Sequence, residues 1–234
     1  MDIEKKFETF LLISKKEFYI FVKDKLRNER IFENRLVFDR FDQDNEFKLL
    51  DKFLNENIFK IEKIIKNFVN NLVLIIDKKH DIKIGISFKN NNNGDILAKK
   101  DFYDVLKLFK NQIQENYKSW KIAHMIITKY IVDGNYYDNL PFNKKCNYFS
   151  LDVDFICFSK DYLRNIENVL NKYHIKIEHN LCANYVRNCF KNESIDLFSM
   201  SKKIIDGYNL NEIVLVPKFN KNKGFFEKFF NFFS

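Results

Sequence analysis

The chain has 234 residues, with 40 Lys and Arg against 32 Asp and Glu, for a formal net charge of +8 and a pI near 9.1. That length is enough for one large domain or two small ones. The charge favours acidic partners, nucleic acid or anionic lipid, without separating them. With 5 Gly and 2 Pro the chain holds no glycine-rich phosphate loop, and it has no zinc spacing, nucleophile elbow or Walker sequence. This argues against an ATP-using enzyme and predicts no cofactor and no metal.

Taken in order, "FETFLLISKKEFYIFVKDK" reads as two short strands around a turn at Ser14 to Glu17, with a third at "RLVFDRF". The N-terminus, "MDIEKKFETF", lacks the apolar run of a secretory signal, so a cytoplasmic protein is expected. The stretch "NEFKLLDKFLNENIFKIEKIIKNFVNNLVLII" places Phe47, Leu50, Phe53, Leu54, Ile58, Ile61, Ile64, Ile65 and Phe68 at helical spacing. It predicts one long amphipathic helix with a break near Asn57. Its "LVLII", residues 72–76, is the longest aliphatic run and far too short to span a membrane.

"DIKIGISF" then alternates as a strand does, and "NNNNGD" is a loop. A helix follows from 98, with Phe102, Val105, Leu106, Phe109 and Ile113 on one face and Asp101 in its first turn. "KIAHMIITKYIVDG" and "YFSLDVDFICFS" are strands. "SKDYLRNIENVLNKYH" is a helix capped by Ser159, with Tyr162, Leu163, Ile166, Val169 and Leu170 as its buried stripe. "IKIEHNL" is a short strand and "CANYVRNCF" a short helix. Beyond 192 the pattern weakens, with "EIVLV" as a candidate final strand. The class is α+β, with a strand-helix-strand-strand core in the middle.

Cys146, Cys157, Cys182 and Cys189 form no CxxC pair and read as free, mostly buried thiols. His80, His124, His174 and His179 are scattered and read as structural. Asp152 and Asp154 share a strand face, but without a third ligand they read as a solvated face rather than a metal site. The basic residues are dispersed among the acids and no aromatic-basic ribonucleoprotein motif occurs, so no nucleic-acid partner is expected. A basic nucleic-acid-binding domain remains a reading from another class.

Residues 120–194 carry an ordered set of features: His124 in a hydrophobic strand, Asp133-Gly134, Pro141, "LDVDFICF", Arg164-Asn165, "HIKIEHNL" and Ala183. In order and spacing this resembles the SHS2, or 1C, subdomain of the FtsA family of bacterial cell-division proteins. The resemblance implies an SHS2-like strand-helix-strand-strand subdomain joined to a remnant of an actin-like first lobe. It divides the chain into the lobe remnant at 1–76, the SHS2-like subdomain at 77–192, a return segment at 193–217, and a linker with an amphipathic helix at 218–234. The family's phosphate loops are missing, because the first turn reads "SKKEF" with no Asp-Gly-Thr. No counterpart of the family's ATP site or second lobe is therefore expected here.

The resemblance also implies a membrane-attaching helix at the end of the chain, and "GFFEKFFNFFS" fits one. On a helix Phe225, Phe226, Phe229, Phe230, Phe232 and Phe233 fall within an arc of roughly 160°. Lys218, Lys221, Lys223 and Lys228 are suited to anionic headgroups. A helix of this kind lies on lipid, packs back on its own domain or enters a partner's groove. The lysine-rich linker and the resemblance favour lipid.

The implied function is a non-enzymatic, FtsA-like scaffold held peripherally on the cytoplasmic face of the inner membrane. It would contact other division proteins and itself through Asp133, Gly134, Tyr136 and Pro141. An actin-like adaptor of a pilus or secretion assembly is the second reading. Deleting residues 224–234 is expected to abolish co-sedimentation with anionic vesicles while leaving the circular dichroism spectrum intact. Equal sedimentation of both forms would contradict the lipid reading.

Overall fold

The computed structural model describes residues 6–38, 44–139 and 141–214. Among the described residues, two sheets and five helices make up an α+β structure. The first sheet is mixed, in the order β3-β2-β1-β4-β9. Strands β1 (Phe7–Ser14), β2 (Glu17–Asp24) and β3 (Glu29–Val37) run antiparallel, and β4 (Asn71–Asp77) and β9 (Lys176–Cys182) continue parallel to β1. The third strand begins at Glu29, upstream of the expected "RLVFDRF".

Both faces of this sheet are covered. Phe18 meets Phe53 of α1 (Glu46–Ile65) on one side. On the other, Phe10, Tyr19 and Phe21 surround Phe198 of α5 (Leu197–Ile205) with ring centroids 4.8–5.8 Å apart. Burial on both faces explains why β4 reads as an uninterrupted aliphatic run.

The single long helix expected through Phe68 is therefore corrected. Helix α1 ends at Ile65, where Lys66 takes a left-handed conformation (φ 55°), and the Glu62 carboxylate accepts the Val69 N–H at 3.1 Å. Phe68 is 74% exposed and Ile64 is exposed as well, while "LVLII" forms β4. The expected break at Asn57 is absent. Asn57 is fully buried, its Nδ2 donating to the Phe53 carbonyl at 2.6 Å and its Oδ1 accepting from Asn34 at 2.7 Å. Both ends of the amide are satisfied without breaking the helix.

The second sheet has the order β5-β8-β6-β7, all antiparallel, from β5 (Asp81–Asn91), β6 (Trp120–Val132), β7 (Asn135–Tyr137) and β8 (Tyr148–Ser159). Helix α2 (Lys99–Asn116) packs the expected Phe102, Val105, Leu106, Phe109 and Ile113 against it. Asp101 accepts the Ala98 N–H at 3.0 Å in the first turn. Strand β8 serves two cores. Phe149, Leu151, Val153, Phe155 and Cys157 face α2, whereas Ile156 and Phe158 join the core of the first sheet. A period of two thus becomes a partition between cores.

Helix α3 (Lys160–Asn171) starts as expected, with Ser159 accepting the Tyr162 N–H, and all five residues of its stripe are buried in the first core. That helix, β9 and α4 (Ala183–Cys189) all pack with the first sheet, so the segment 77–192 contributes to both sheets. Helix α5, unforeseen from the sequence, is capped by Asp196, whose carboxylate accepts from Phe198 and Ser199. Through Val214, "EIVLV" forms one isolated bridge, Ile126 to Glu212, instead of a final strand. Cys146, Cys157 and Cys182 are buried free thiols and Cys189 a half-buried one.

Candidate functional site

In a sheet of parallel strands, ligands sit beyond the carboxyl ends of the strands. Here β1, β4 and β9 finish side by side, with Ser14 opposite Asp77 and Ile76 opposite Cys182. The turn after β1 has its amides turned inward. Ser14 Oγ accepts the N–H groups of Lys16 and Glu17 at 3.0 and 2.9 Å, and donates to the Glu17 carbonyl at 3.0 Å. Two backbone donors of the turn, the Lys16 and Glu17 amides, are thus taken by its own side chain and not presented to an anion.

Beside it, past the end of β4, Lys78 Nζ meets Glu46 Oε1 at 2.5 Å, and the Tyr162 hydroxyl donates to the same oxygen at 2.7 Å. The Lys78 and Glu46 side chains are 1% and 2% exposed. Glu46 stands in the first turn of α1, where the helix dipole favours an anion. The His80 ring stacks on Tyr162 at 3.9 Å, and the Lys78 ammonium lies 5.8 Å from the Phe18 ring centre. Burial pushes Lys78 below the ordinary lysine value, against the pull of Glu46. Burial also lowers His80, and burial together with the Glu46 charge raises Tyr162. Nearby, Arg187 of α4 grips Asp77 with two hydrogen bonds, at 3.0 and 2.7 Å.

A second polar cluster joins the two sheets. His124 of β6 is buried; its Nε2 accepts the Cys182 N–H at 2.9 Å and its Nδ1 lies 2.7 Å from Glu212 Oε1. A ring nitrogen that accepts from an amide carries no proton, so the imidazole proton is on Nδ1 and points at the carboxylate. Tyr185 donates to the other Glu212 oxygen at 2.6 Å and accepts from Asn209 at 2.8 Å. Backbone bonds from Ile127 to Asn211 and from Ile213 to Met125 tie the segment 209–213, a strap after α5, along β6. His124 is thus a satisfied core histidine.

Asp133 and Gly134 form the two-residue turn between β6 and β7, both at positive φ (47° and 81°). The Asp133 carboxylate is engaged, accepting the N–H groups of Asn147 and Tyr148 at 2.9 and 3.0 Å. Tyr136 on the same hairpin is 72% exposed and Pro141 is half-buried. The solvated face expected for Asp152 and Asp154 is instead half-buried and ion-paired, to Lys129 at 3.5 Å and Lys83 at 2.8 Å. Among the described residues no group of three His, Cys, Asp or Glu could hold a metal ion, and no helix is long and apolar enough to cross a membrane. Lys218, Lys221, Lys223, Lys228 and the six tail phenylalanines lie outside the described residues.

Both polar clusters escaped the sequence reading. The signals were the charged "DKKHD" directly after a buried run and an acid at the start of α1. Neither says that Glu46, Lys78 and Tyr162 meet.

No family model matches the sequence, and no curated protein does. Among solved structures, the chain is similar to the cytoplasmic domain of EpsL, an inner membrane component of the type II secretion system of Vibrio cholerae. That likeness has 8% identity over 77% of this chain and 58% of that one, with a TM-score of 0.41. A PilM-PilN type IV pilus biogenesis complex is similar at 7% identity, over 76% and 48%, with a TM-score of 0.49. A Bacteroides thetaiotaomicron protein with actin-like ATPase fold and unknown function is similar at 11%, over 82% and 59%, with a TM-score of 0.36. The chain spans about half to three-fifths of the length of these structures. At such identities and scores the likeness does not support the FtsA family in particular.

Glu46→Leu is expected to cost about 3–5 kcal/mol, because it leaves a buried ammonium without its counter-charge. Replacing the whole group, Glu46→Leu with Lys78→Met and Tyr162→Phe, is expected to recover most of that loss in urea unfolding. A single-variant cost of about 0–1 kcal/mol, the range of an exposed pair, would contradict the burial.

Proposed function

We propose that this protein is a non-enzymatic adaptor of a membrane-associated pilus or secretion assembly, working through its protein-binding surfaces. The observation that carries the non-enzymatic part is the filled carboxyl end of the first sheet. Where a nucleotide would need open amides, Ser14 occupies those of Lys16 and Glu17. Where a catalytic base would need to reach a substrate, Lys78 and Glu46 reach each other instead, away from solvent.

The choice of assembly takes its direction from the neighbours' names alone: EpsL is described as a type II secretion component and PilM-PilN as a pilus biogenesis complex. A cell-division scaffold shares the adaptor role and differs in its partners. Attachment to the membrane is assigned to residues 218–234, on the strength of their Phe and Lys pattern.

Calorimetric titration with Mg-ATP tests the first half, and no saturable heat is expected up to millimolar nucleotide. A micromolar site would overturn it. Cross-linking the full chain in living cells, followed by mass spectrometry, tests the second half. Inner-membrane pilus or secretion components are expected in the captured set, and division proteins in their place would restore the cell-division reading.

A further inference from the structure

Each sheet ends in two edge strands, and unpaired edges are sites where another strand can add. Three of the four edges are blunted. Strand β3 carries a bulge at Ile31, which has no partner between the pairs Val22–Phe32 and Lys23–Arg30. Strand β9 carries one at Glu178, skipped between the pairs Leu72–Ile177 and Val73–His179. Strand β7 has three residues. The fourth edge, β5, has eleven residues in unbroken register with β8, and no backbone hydrogen bond reaches its outer side from the described residues.

Its sequence, "DIKIGISFK" from 81 to 89, alternates symmetrically about Gly85, with apolar residues at 82, 84, 86 and 88 and polar ones at 81, 83, 87 and 89. We propose that β5 pairs antiparallel with β5 of a second copy of this chain, across a two-fold axis at Gly85, joining two four-stranded sheets into one of eight strands. In that register Asp81 faces Lys89 of the second copy, twice by symmetry. Lys83 faces Ser87, Ile82 faces Phe88, and Ile84 faces Ile86.

Opposite charges directly across an antiparallel pair stabilise it, and like charges oppose it. Pleating restricts the choice, because a shift that moves the axis between residues turns each apolar side chain to the other face. Moving the axis to Ile86 sets Lys83 against Lys89, and moving it to Ile84 sets Asp81 against Ser87, so the axis at Gly85 gives the most favourable pairing of the three.

The local packing fits this register. Lys83, 64% exposed, reaches Asp154 of β8 at 2.8 Å, so its charge is already paired within its own chain. Lys89 lies 4.2 Å over the Tyr148 ring, placed at the far end of the strand from Asp81. Ile82, Ile84, Ile86 and Phe88 are half-buried against the α2 core, and a second copy of the same row would cover their remaining area. The pairing needs β5 alone and stands or falls independently of the adaptor reading.

Sedimentation velocity of the full chain over a range of concentrations tests it. The wild-type protein is expected to dimerise. Asp81→Lys and Lys89→Asp, each of which sets like charges against each other twice, are expected to weaken the dimer about tenfold. The double variant, and an equimolar mixture of the two single variants, are expected to dimerise as the wild type does. That recovery separates lost pairing from lost folding. A wild-type chain that stays monomeric would overturn the proposal. So would a dimer indifferent to both single variants, or a mixture of them that fails to associate.

Discussion

Glu46 is an acid held inside the protein, and the arrangement around it follows from the need to satisfy that charge. Its carboxylate takes an ammonium from Lys78, 32 residues away, and a hydroxyl from Tyr162, 116 residues away. In doing so it fixes the start of α1 and the start of α3 at the end of β4. Taking two ions out of water is expensive, and their attraction offsets that cost when the remaining hydrogen-bonding capacity is also met. Tyr162 and the helix dipole supply part of that. The group is better understood as fixing which elements meet than as a source of net stability. A consequence for function is that the end of the sheet where such folds take ligands is filled by the protein's own side chains.

The same logic operates at the junction of the two sheets. Alternate residues of β8 divide the apolar material between two cores, so the sheets share one wall. Beside that wall His124 accepts from the start of α4 and donates to Glu212, while Tyr185 holds the other carboxylate oxygen. A histidine on β6, a backbone amide at the end of β9 and an acid in the strap after α5 are thereby joined. The strap is also the last described segment before the residues read as a membrane-binding tail.

Much of this was legible in local patterns. The stripe of α3 with its Ser159 cap, the apolar face of α2, and the alternation of β5 and β8 each repeat a short-range rule, and the folded chain keeps them. The failures have a common origin in tertiary context. A strand buried on both faces, as β4 is, carries no period that distinguishes it from a buried helix, so the pattern merges it with the helix before it. The end of α1 bears no glycine, because Lys66 takes the left-handed position itself. Asn57 reads as a breaker because its partners, Asn34 and the Phe53 carbonyl, are invisible in the local pattern. Helix α5 had a readable cap in Asp196, but its main contact, Phe198 among Phe10, Tyr19 and Phe21, spans most of the chain. The two polar clusters were illegible for the same reason: their members are brought together only by the fold.

The most direct test of this account is the titration of the Lys78 ammonium itself, followed by nitrogen-detected NMR in the full-length protein. A buried Lys78 paired with Glu46 predicts a titration below the ordinary lysine value of 10.5, and a shift in that titration when Glu46 is replaced by Gln. A Lys78 that titrates together with the surface lysines, indifferent to Glu46, would mean that the carboxyl end of the first sheet is open to solvent, and the account of a filled site would be wrong.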